Sequence, residues 1–167
     1  MTEEEQQIPQ IPSTKSEILA FIWETAKVVV ISLAIIMPIR YYLVQPFFVK
    51  GASMEPNFED GDYLLVDELS YRFRDVKRGE VVIFRYPQQP SQFFIKRIIG
   101  LPGETVKIKG DEVIIFNSDN TEGLKLTESY LSPEQKTTGE TTTKLDDNEY
   151  FVLGDNRLQS SDSRRWG

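Results

Sequence analysis

The sequence contains no cysteine and no histidine among its 167 residues. Without cysteine, disulfide bonds, thiolate metal sites and a cysteine nucleophile are excluded. Without histidine, a Ser-His-Asp triad cannot be assembled, and a zinc site would rely on carboxylates alone, which is unusual. A hydrolase with a serine nucleophile would need another side chain to accept the proton, and a lysine with a lowered pKa can do so. We expect neither a metal nor a cofactor.

Basic residues are in the minority. The chain has 19 Lys and Arg against 26 Asp and Glu, which gives a net charge of −7. A nucleic-acid partner needs a basic surface to bind its phosphates, so this balance argues against nucleic-acid binding. The length allows one folded domain together with an anchor segment.

A long apolar run lies near the N-terminus, over residues 18–39. Its length matches the ~20 residues that a membrane-spanning helix requires. Glu24 and Lys27 interrupt its first half and are spaced to pair on one helical face. A cleavable signal peptide, which the lack of preceding positive charge disfavours, and an amphipathic helix packed on a soluble core are the alternatives. We predict a transmembrane anchor over residues 16–44, after a polar, disordered tail over residues 1–15.

From residue 45 onward, short β-type runs alternate with glycine- and proline-containing turn signals. The close spacing and the lack of helical patterns predict a mainly β fold: an antiparallel sheet or barrel-like domain over residues 45–167. The predicted strands are Phe47–Lys50, Tyr63–Glu68, Glu80–Arg85, Phe93–Ile99, Thr105–Ile108, Val113–Phe116 and Tyr150–Leu153.

Two further segments depart from this pattern. Residues 118–148 are polar and rich in threonine, and we predict a surface excursion of variable order there. The chain closes on a dense run of Asp, Ser and Arg, which is unusual at a domain end. We therefore expect a further C-terminal segment beyond Gly167.

Two segments carry candidate reactive groups. In Gly51-Ala52-Ser53-Met54-Glu55-Pro56, small residues before Ser53 allow a substrate backbone to approach closely. In residues 93–103, Lys96 and Arg97 lie within an apolar strand, where neighbouring side chains point to opposite faces. One of the two charges must face inward unless the strand is twisted or lies at an edge. Taken alone, the serine could be a turn former and the lysine an edge or snorkelling residue.

A third polar segment spans residues 154–167 and contains two acids, three arginines and three serines. A solvated turn does not need such density, so we interpret it as a loop that supports a site.

The three segments in this order, after an apolar N-terminal run, resemble bacterial type I signal peptidases. The resemblance is carried by Ser-Met-x-Pro, by Lys-Arg-x-x-Gly-x-Pro-Gly and by Gly-Asp-Asn-Arg-x-x-Ser-x-Asp-Ser-Arg. It covers the anchor and roughly residues 45–116 and 150–167. It implies a membrane-bound serine endopeptidase that removes N-terminal signal peptides from exported preproteins after small residues, at Ala-x-Ala type sites.

The resemblance also implies roles for individual residues. Ser53 would be the nucleophile, Lys96 the general base, and Ser160 the residue that orients the lysine. Some relatives carry a serine that donates to the oxyanion where this chain has Gly51, so the oxyanion hole would rely on the Ser53 N–H and a water. The other supporting residues would be Asp155 paired with Arg97, and Asp162 and Arg164 in a structural role.

By the same resemblance, the substrate would bind as an added strand between residues 47–51 and 92–95. Its side chains would enter shallow pockets that admit only small groups. The residues expected to bind substrate are Phe47, Val49, Gly51, Met54, Phe58, Leu64, Phe94 and Ile95.

The expected partners are secretory preproteins and the lipid bilayer, with the chain acting as a monomer. By resemblance, the domain lies on the extracytoplasmic face of the cell membrane after a single span. Charge does not decide the orientation, since Lys15 and Lys27 on one side balance Arg40 and Lys50 on the other.

Two alternatives remain open. A self-cleaving repressor of the SOS type uses Ser/Lys chemistry, but such a protein has a DNA-binding domain and no membrane span. A membrane-anchored protein that binds signal peptides without cleaving them, or a truncated inactive copy, is the second.

Overall fold

The computed structural model describes residues 14–42, 44–67 and 69–167. The chain divides into two compact units, one that ends at residue 43 and one that spans Val44–Gly167. The predicted disordered tail lies outside the described residues as far as residue 13.

The N-terminal unit contains helix α1, Thr14–Tyr42. Its segment Lys15–Arg40 has a mean hydropathy of 2.0 and is long and apolar enough to cross a membrane. Side chains from residue 15 to residue 40 are exposed, as expected for a helix that faces lipid. Within the helix, Lys27 Nζ lies 2.7 Å from Glu24 Oε1, so these two charges pair as predicted. The predicted N-terminal apolar helix is confirmed.

The second unit is built from antiparallel strands, which confirms the predicted fold class. The strands are β1 Val44–Phe48, β2 Tyr63–Asp67, β3 Val81–Arg85, β4 Phe93–Gly100, β5 Thr105–Lys109, β6 Glu112–Asn117, β7 Asn120–Lys125, β8 Glu140–Lys144 and β9 Phe151–Leu153. Among the described residues they form a two-stranded sheet β1-β2, a three-stranded sheet β3-β4-β9 and a four-stranded sheet β7-β6-β5-β8. A one-turn 3-10 helix at Ser70–Arg72 and a short helix α2, Ser163–Trp166, complete the described elements.

The core lies where the four-stranded sheet meets β4 and β9. Side chains on one face of the central strands are buried, namely Val106 and Ile108 of β5 and Val113 and Ile115 of β6. This period-2 burial is the pattern of a sheet with one solvated face. Phe151 of β9 packs into the same cluster, so the segment that follows β9 starts from a rigid base.

Segment 118–148 contains two strands that the sequence analysis did not predict. β7 and β8 are the outer strands of the four-stranded sheet, paired with β6 and β5 respectively. Edge strands need to bury little, so threonine, lysine and glutamate occupy them and the apolar alternation that indicates a strand is missing. The predicted strand Phe47–Lys50 is shifted as well, because β1 runs earlier, over Val44–Phe48.

Candidate active site

Ser53 lies in a turn between β1 and β2. The Glu55 N–H donates to the Ala52 carbonyl at 3.3 Å and closes the turn around the serine. Gly51 adopts a positive φ of 87°, a conformation that glycine takes readily, and its N–H donates to Asp60 Oδ1 at 2.6 Å. Met54 is fully buried beneath the turn. The serine is therefore held on a short, anchored turn with its side chain half-buried.

Lys96 approaches Ser53 from strand β4. Its Nζ donates to Ser53 Oγ at 2.8 Å and to the Ile95 carbonyl at 2.8 Å. The side chain is 3% exposed, and Nζ lies 5.1 Å from the centroid of the Phe94 ring. The expectation that one charge of the Lys-Arg pair faces inward is met by Lys96.

Burial lowers the pKa of Lys96 from 10.5 to about 8, because the ammonium form loses its hydration. The carboxylates of Asp162 and Asp155 oppose this shift by attracting the charged form. At pH 7 roughly one such lysine in ten is neutral, compared with about one in 3,000 for an ordinary lysine.

Arg97, on the opposite face of β4, binds Asp155. Its Nε donates to Oδ1 at 2.8 Å and its Nη2 to Oδ2 at 2.5 Å, and Nη1 donates to the Gly79 carbonyl at 2.7 Å. Asn57 Nδ2 donates to Asp155 Oδ2 at 2.8 Å. Asp155 is fully buried, and this two-pronged pairing compensates its charge. The structure thus brings together the expected Arg97–Asp155 pair.

Asp162 and Arg164 form a second pair in the C-terminal loop. Arg164 Nε donates to Asp162 Oδ1 at 2.8 Å, and the Gly154 N–H donates to Asp162 Oδ2 at 3.1 Å. Burial alone would raise the pKa of Asp162, but the hydrogen bonds and charge of Arg164 outweigh it and lower that pKa. Asp162 stays ionised and also caps helix α2 by accepting from the Arg164 N–H.

Ser160 is buried at the same site, 3% exposed. Its Oγ has no hydrogen-bond partner within the described part of the chain. The hydroxyl faces Asp162 closely enough to lower the pKa of that carboxyl, but outside hydrogen-bonding geometry. It makes no hydrogen bond to Lys96 Nζ, so its expected role in orienting the lysine stays a prediction.

Two residues of the Gly-Asp-Asn-Arg motif, Gly154 and Asn156, lie against the Ser53 turn, and neither was expected to have a role at the site. A Cβ on Gly154 would lie 2.2 Å from Ser160 Oγ and 2.4 Å from the Ser53 carbonyl oxygen. The Asn156 N–H donates to the Ser53 carbonyl at 3.1 Å, and Asn156 Nδ2 donates to the Ala52 carbonyl at 3.0 Å. The motif drew attention to these positions, but its contacts with the turn could not be read from it. Asn156 and Ala52 are separated by 104 positions in the chain, and only the tertiary structure brings them together.

Arg157, the last residue of that motif, is fully buried and binds the segment that was predicted as an excursion. Its guanidinium binds the Glu128 carboxylate, with Nη1 2.9 Å from Oε2, and it also donates to Thr137 Oγ1 and, through Nε at 3.1 Å, to the Gly154 carbonyl. Tyr130 donates to Glu128 Oε1 at 2.6 Å. Residues 128–137 are therefore part of the wall behind the site.

A groove of about 570 Å³ runs past Ser53 and Lys96. Six of the eight residues expected to bind substrate line it, namely Phe47, Val49, Gly51, Leu64, Phe94 and Ile95. Met54 does not, since it is fully buried, and Phe58 lines a larger apolar cleft that adjoins the groove along β1 and β4. Gln92, at the start of the expected segment 92–95, also lines the groove, as do Gln159 and Ser161, which no sequence signal singled out.

Acidic side chains of the described residues nowhere gather in a group of three or more that could hold a metal ion.

The family described as "Signal peptidase, peptidase S26" matches residues 22–167. Signal peptidase I of Bacillus amyloliquefaciens is 37% identical over 151 residues, covering 85% of this chain and 75% of that protein. Signal peptidase I T of Bacillus subtilis (strain 168) is 37% identical over 150 residues, covering 84% and 74%.

A crystal structure of a signal peptidase I from Enterococcus faecalis V583 matches with a TM-score of 0.44 and 33% identity, covering 55% of this chain and 86% of that one. The family match over most of the chain and the two Bacillus relatives show that this chain belongs to the signal peptidase family, peptidase S26, and is a peptide hydrolase.

Proposed function

We propose that this chain removes signal peptides at Ala-x-Ala type sites as a Ser/Lys-dyad endopeptidase, with Ser53 as nucleophile and Lys96 as general base. Family membership already supports signal-peptide removal by a serine peptidase. The observation that carries the finer assignment is the 2.8 Å contact between Lys96 Nζ and Ser53 Oγ, made by a lysine whose pKa is lowered to about 8.

The proposed chemistry begins with a neutral Lys96. Its Nζ lone pair accepts the proton of Ser53 Oγ while that oxygen forms a bond to the scissile carbonyl carbon, and the carbonyl π pair moves onto oxygen. The oxyanion collapses, the C–N bond breaks, and the Lys96 ammonium returns its proton to the leaving amine. Water then gives a proton to the same lysine while its oxygen bonds to the ester carbon. The C–Oγ bond breaks, and the Lys96 ammonium returns that proton to Ser53 Oγ as the carboxylic acid product leaves.

The supporting residues fit this scheme. Arg97 and Arg164 neutralise the two carboxylates near Lys96, Asp155 and Asp162, so that less negative charge favours the ammonium form. Ser160, buried in the same site without a fixed partner, is the group proposed to direct the lysine during the reaction. Its unoccupied hydroxyl is available for such a contact.

The open edge of β4 supports substrate binding by strand addition. Strand β9 pairs with β4 only from Arg97 onward, so residues 93–96 have no strand on that side among the described residues. These residues line the groove opposite the segment 47–51. A peptide added here would pass Ser53 in an extended conformation, with alternate side chains directed at Phe47, Phe94 and Ile95. Such crowded apolar walls favour small side chains, as in Ala-x-Ala.

Helix α1 supports a membrane location. We propose that it crosses the cell membrane once and that the peptidase domain, acting as a monomer, lies on the extracytoplasmic face, where signal peptides emerge.

The test is cleavage of a preprotein with an Ala-x-Ala site by the detergent-solubilised chain, beside Ser53→Ala and Lys96→Ala. A second substrate carries a bulky residue in place of the final Ala. We expect cleavage of the first substrate by the parent alone, with a drop of at least ~100-fold on the bulky substrate.

Three results would contradict the proposal. If the Ser53→Ala chain still cleaves the substrate, Ser53 is not the nucleophile. If the Lys96→Ala chain still cleaves it, Lys96 is not the base. Equal cleavage of both substrates removes the specificity, while leaving the peptidase assignment in place.

A further inference from the structure

Asn156 donates hydrogen bonds to two consecutive backbone carbonyls, those of Ala52 and Ser53. Its side-chain Nδ2 donates to the Ala52 carbonyl at 3.0 Å and its backbone N–H donates to the Ser53 carbonyl at 3.1 Å. Asn156 itself is 6% exposed. The two peptide units that flank the serine side chain are thus both attached to the C-terminal loop.

The orientation of the Asn156 amide is determined by its neighbours. Oδ1 accepts from the Gln159 N–H at 3.2 Å, while Nδ2 faces a carbonyl oxygen. Reversing the amide would place oxygen against the Ala52 carbonyl and nitrogen against the Gln159 N–H, losing both hydrogen bonds. Nδ2 is therefore a donor directed at the Ala52 carbonyl.

The Ala52 carbonyl and the Ser53 N–H belong to one peptide unit. That bond is trans, since the cis bond in this turn is Glu55-Pro56. In a trans peptide the C=O and the N–H point in opposite directions. Because Asn156 Nδ2 binds the carbonyl oxygen, the Ser53 N–H is directed away from that amide, and no backbone carbonyl of the described residues accepts a hydrogen bond from it.

We propose that Asn156 is a positioning residue for the oxyanion hole: by binding the Ala52 carbonyl, it aims the Ser53 N–H at the oxygen of the scissile carbonyl. This inference rests on the proposed role of Ser53. The inference also fits the glycine at position 51. Since Gly51 has no side chain to donate to the oxyanion, the Ser53 N–H must supply more of the stabilisation, and its direction matters more.

The turn hydrogen bond alone does not replace this contact. Glu55 also donates to the Ala52 carbonyl, but at 3.3 Å and from within the same turn, so it moves with the peptide that it would have to hold. Asn156 belongs to the loop after β9, whose base is buried in the core. Asn156 therefore holds the Ala52–Ser53 peptide in its orientation from outside the turn.

The test compares Asn156→Leu, which keeps the side-chain size and removes both polar groups without adding charge, with Asn156→Asp, which keeps the acceptor for Gln159 but replaces the donor with a charged carboxylate oxygen. Asn148→Leu and Asn148→Asp, at an exposed turn position, are the matched controls. Each full chain is assayed for kcat and KM on an Ala-x-Ala peptide at a pH above the activity midpoint of that variant. Thermal unfolding reports whether each variant is folded.

A peptide aldehyde and the matching peptide carboxamide serve as inhibitors. The aldehyde carbon bonds to Ser53 Oγ and its oxygen takes the position of the oxyanion, whereas the carboxamide binds without a covalent bond. We expect both Asn156 variants to lose ~10- to 100-fold in kcat with KM within about twofold. Aldehyde inhibition should weaken by a similar factor, and carboxamide binding should not change.

Unchanged kcat and aldehyde inhibition in a folded Asn156→Leu chain, or in Asn156→Asp, would overturn the inference. So would equal losses of aldehyde and carboxamide binding, which indicate a deformed groove. Should Asn156→Leu fail to fold, Asn156→Asp decides. Failure of the proposed function has a different signature: Ser53→Ala would retain cleavage, and this inference would fall with it.

Discussion

At the scale of single residues, the burial that lowers the pKa of Lys96 also lowers the free energy of unfolding of the chain. Its native pKa of about 8 lies below the value near ~10.4 of an unfolded lysine. Between these values the unfolded chain binds more protons than the folded one, so the free energy of unfolding rises with pH across that window. Below pH 8 the full cost of about 3 kcal/mol applies.

Replacing Lys96 with Met should therefore stabilise the chain while abolishing cleavage. We expect the free energy of unfolding at pH 7 to rise by ~2–3 kcal/mol and the gain to shrink as pH rises from 8 to about 10.5. Chemical denaturation at several pH values measures this. Lys109→Met, at an exposed lysine, should stay within ~0.5 kcal/mol of the parent. A Lys96→Met chain that is less stable than the parent at pH 7 contradicts the assignment of a desolvated lysine.

The close packing around Gly154 leaves no space for a side chain. A methyl group there would overlap Ser160 Oγ and the Ser53 carbonyl, so Gly154→Ala must displace the nucleophile turn. We expect a loss of ~1–3 kcal/mol in stability and of at least ~100-fold in kcat per folded molecule.

The control for Gly154→Ala is Gly110→Ala. Gly110 has a positive φ of 63° and open space around it, so alanine is strained there without touching the site. It should lose comparable stability and retain kcat. Equal kcat losses in both variants would show that instability, not displacement of Ser53, is the cause.

Motifs drew attention to Ser53 and Lys96, which the structure brings into contact, and to the Arg97–Asp155 pair; the catalytic roles of Ser53 and Lys96 stay predictions. The contacts of Asn156 and Gly154 were not predictable from the sequence, because a hydrogen bond between a loop amide and a carbonyl 104 positions away leaves no local sequence pattern. The sequence also leaves no sign that the buried Ser160 hydroxyl lacks a hydrogen-bond partner among the described residues.

At the scale of secondary-structure elements, segment 118–148 differs most from expectation. Strands with apolar alternation, such as β5 and β6, were predictable because one face is buried and the other solvated. β7 and β8 lie at the sheet edges, where polar residues suffice, so their sequences carry no such signal. The segment is attached to the site by Glu128 and Thr137 through Arg157.

Breaking that attachment should be costly. Arg157→Met leaves the Glu128 carboxylate, 11% exposed, without its cation, and we expect a loss of ~3–5 kcal/mol in the free energy of unfolding. Lys125→Met removes one partner of the exposed Lys125–Glu112 pair in the same sheet and should change stability by less than ~1 kcal/mol. Thermal and chemical unfolding compare the two. Equal, small effects would mean that the segment is not bound through Arg157.

At the scale of the whole molecule, the absence of cysteine permits a clean test of membrane orientation. Asn148→Cys places the only thiol on an exposed turn of the peptidase domain, and Thr2→Cys places it before the span. In intact cells, a membrane-impermeant maleimide should label Asn148→Cys and should label Thr2→Cys only after lysis. The reverse pattern contradicts the proposed extracytoplasmic domain, and labelling of both contradicts a single span.

The pH dependence of kcat/KM for an Ala-x-Ala peptide tests the Ser53–Lys96 assignment most directly. This quantity reports the ionisation of the free enzyme, and only the neutral lysine can accept the serine proton. We expect kcat/KM to rise with pH, to pass its midpoint near pH 8 and then to level off. A profile that is flat from pH 6 to pH 10, or a midpoint above pH 10, would contradict a buried lysine as the base.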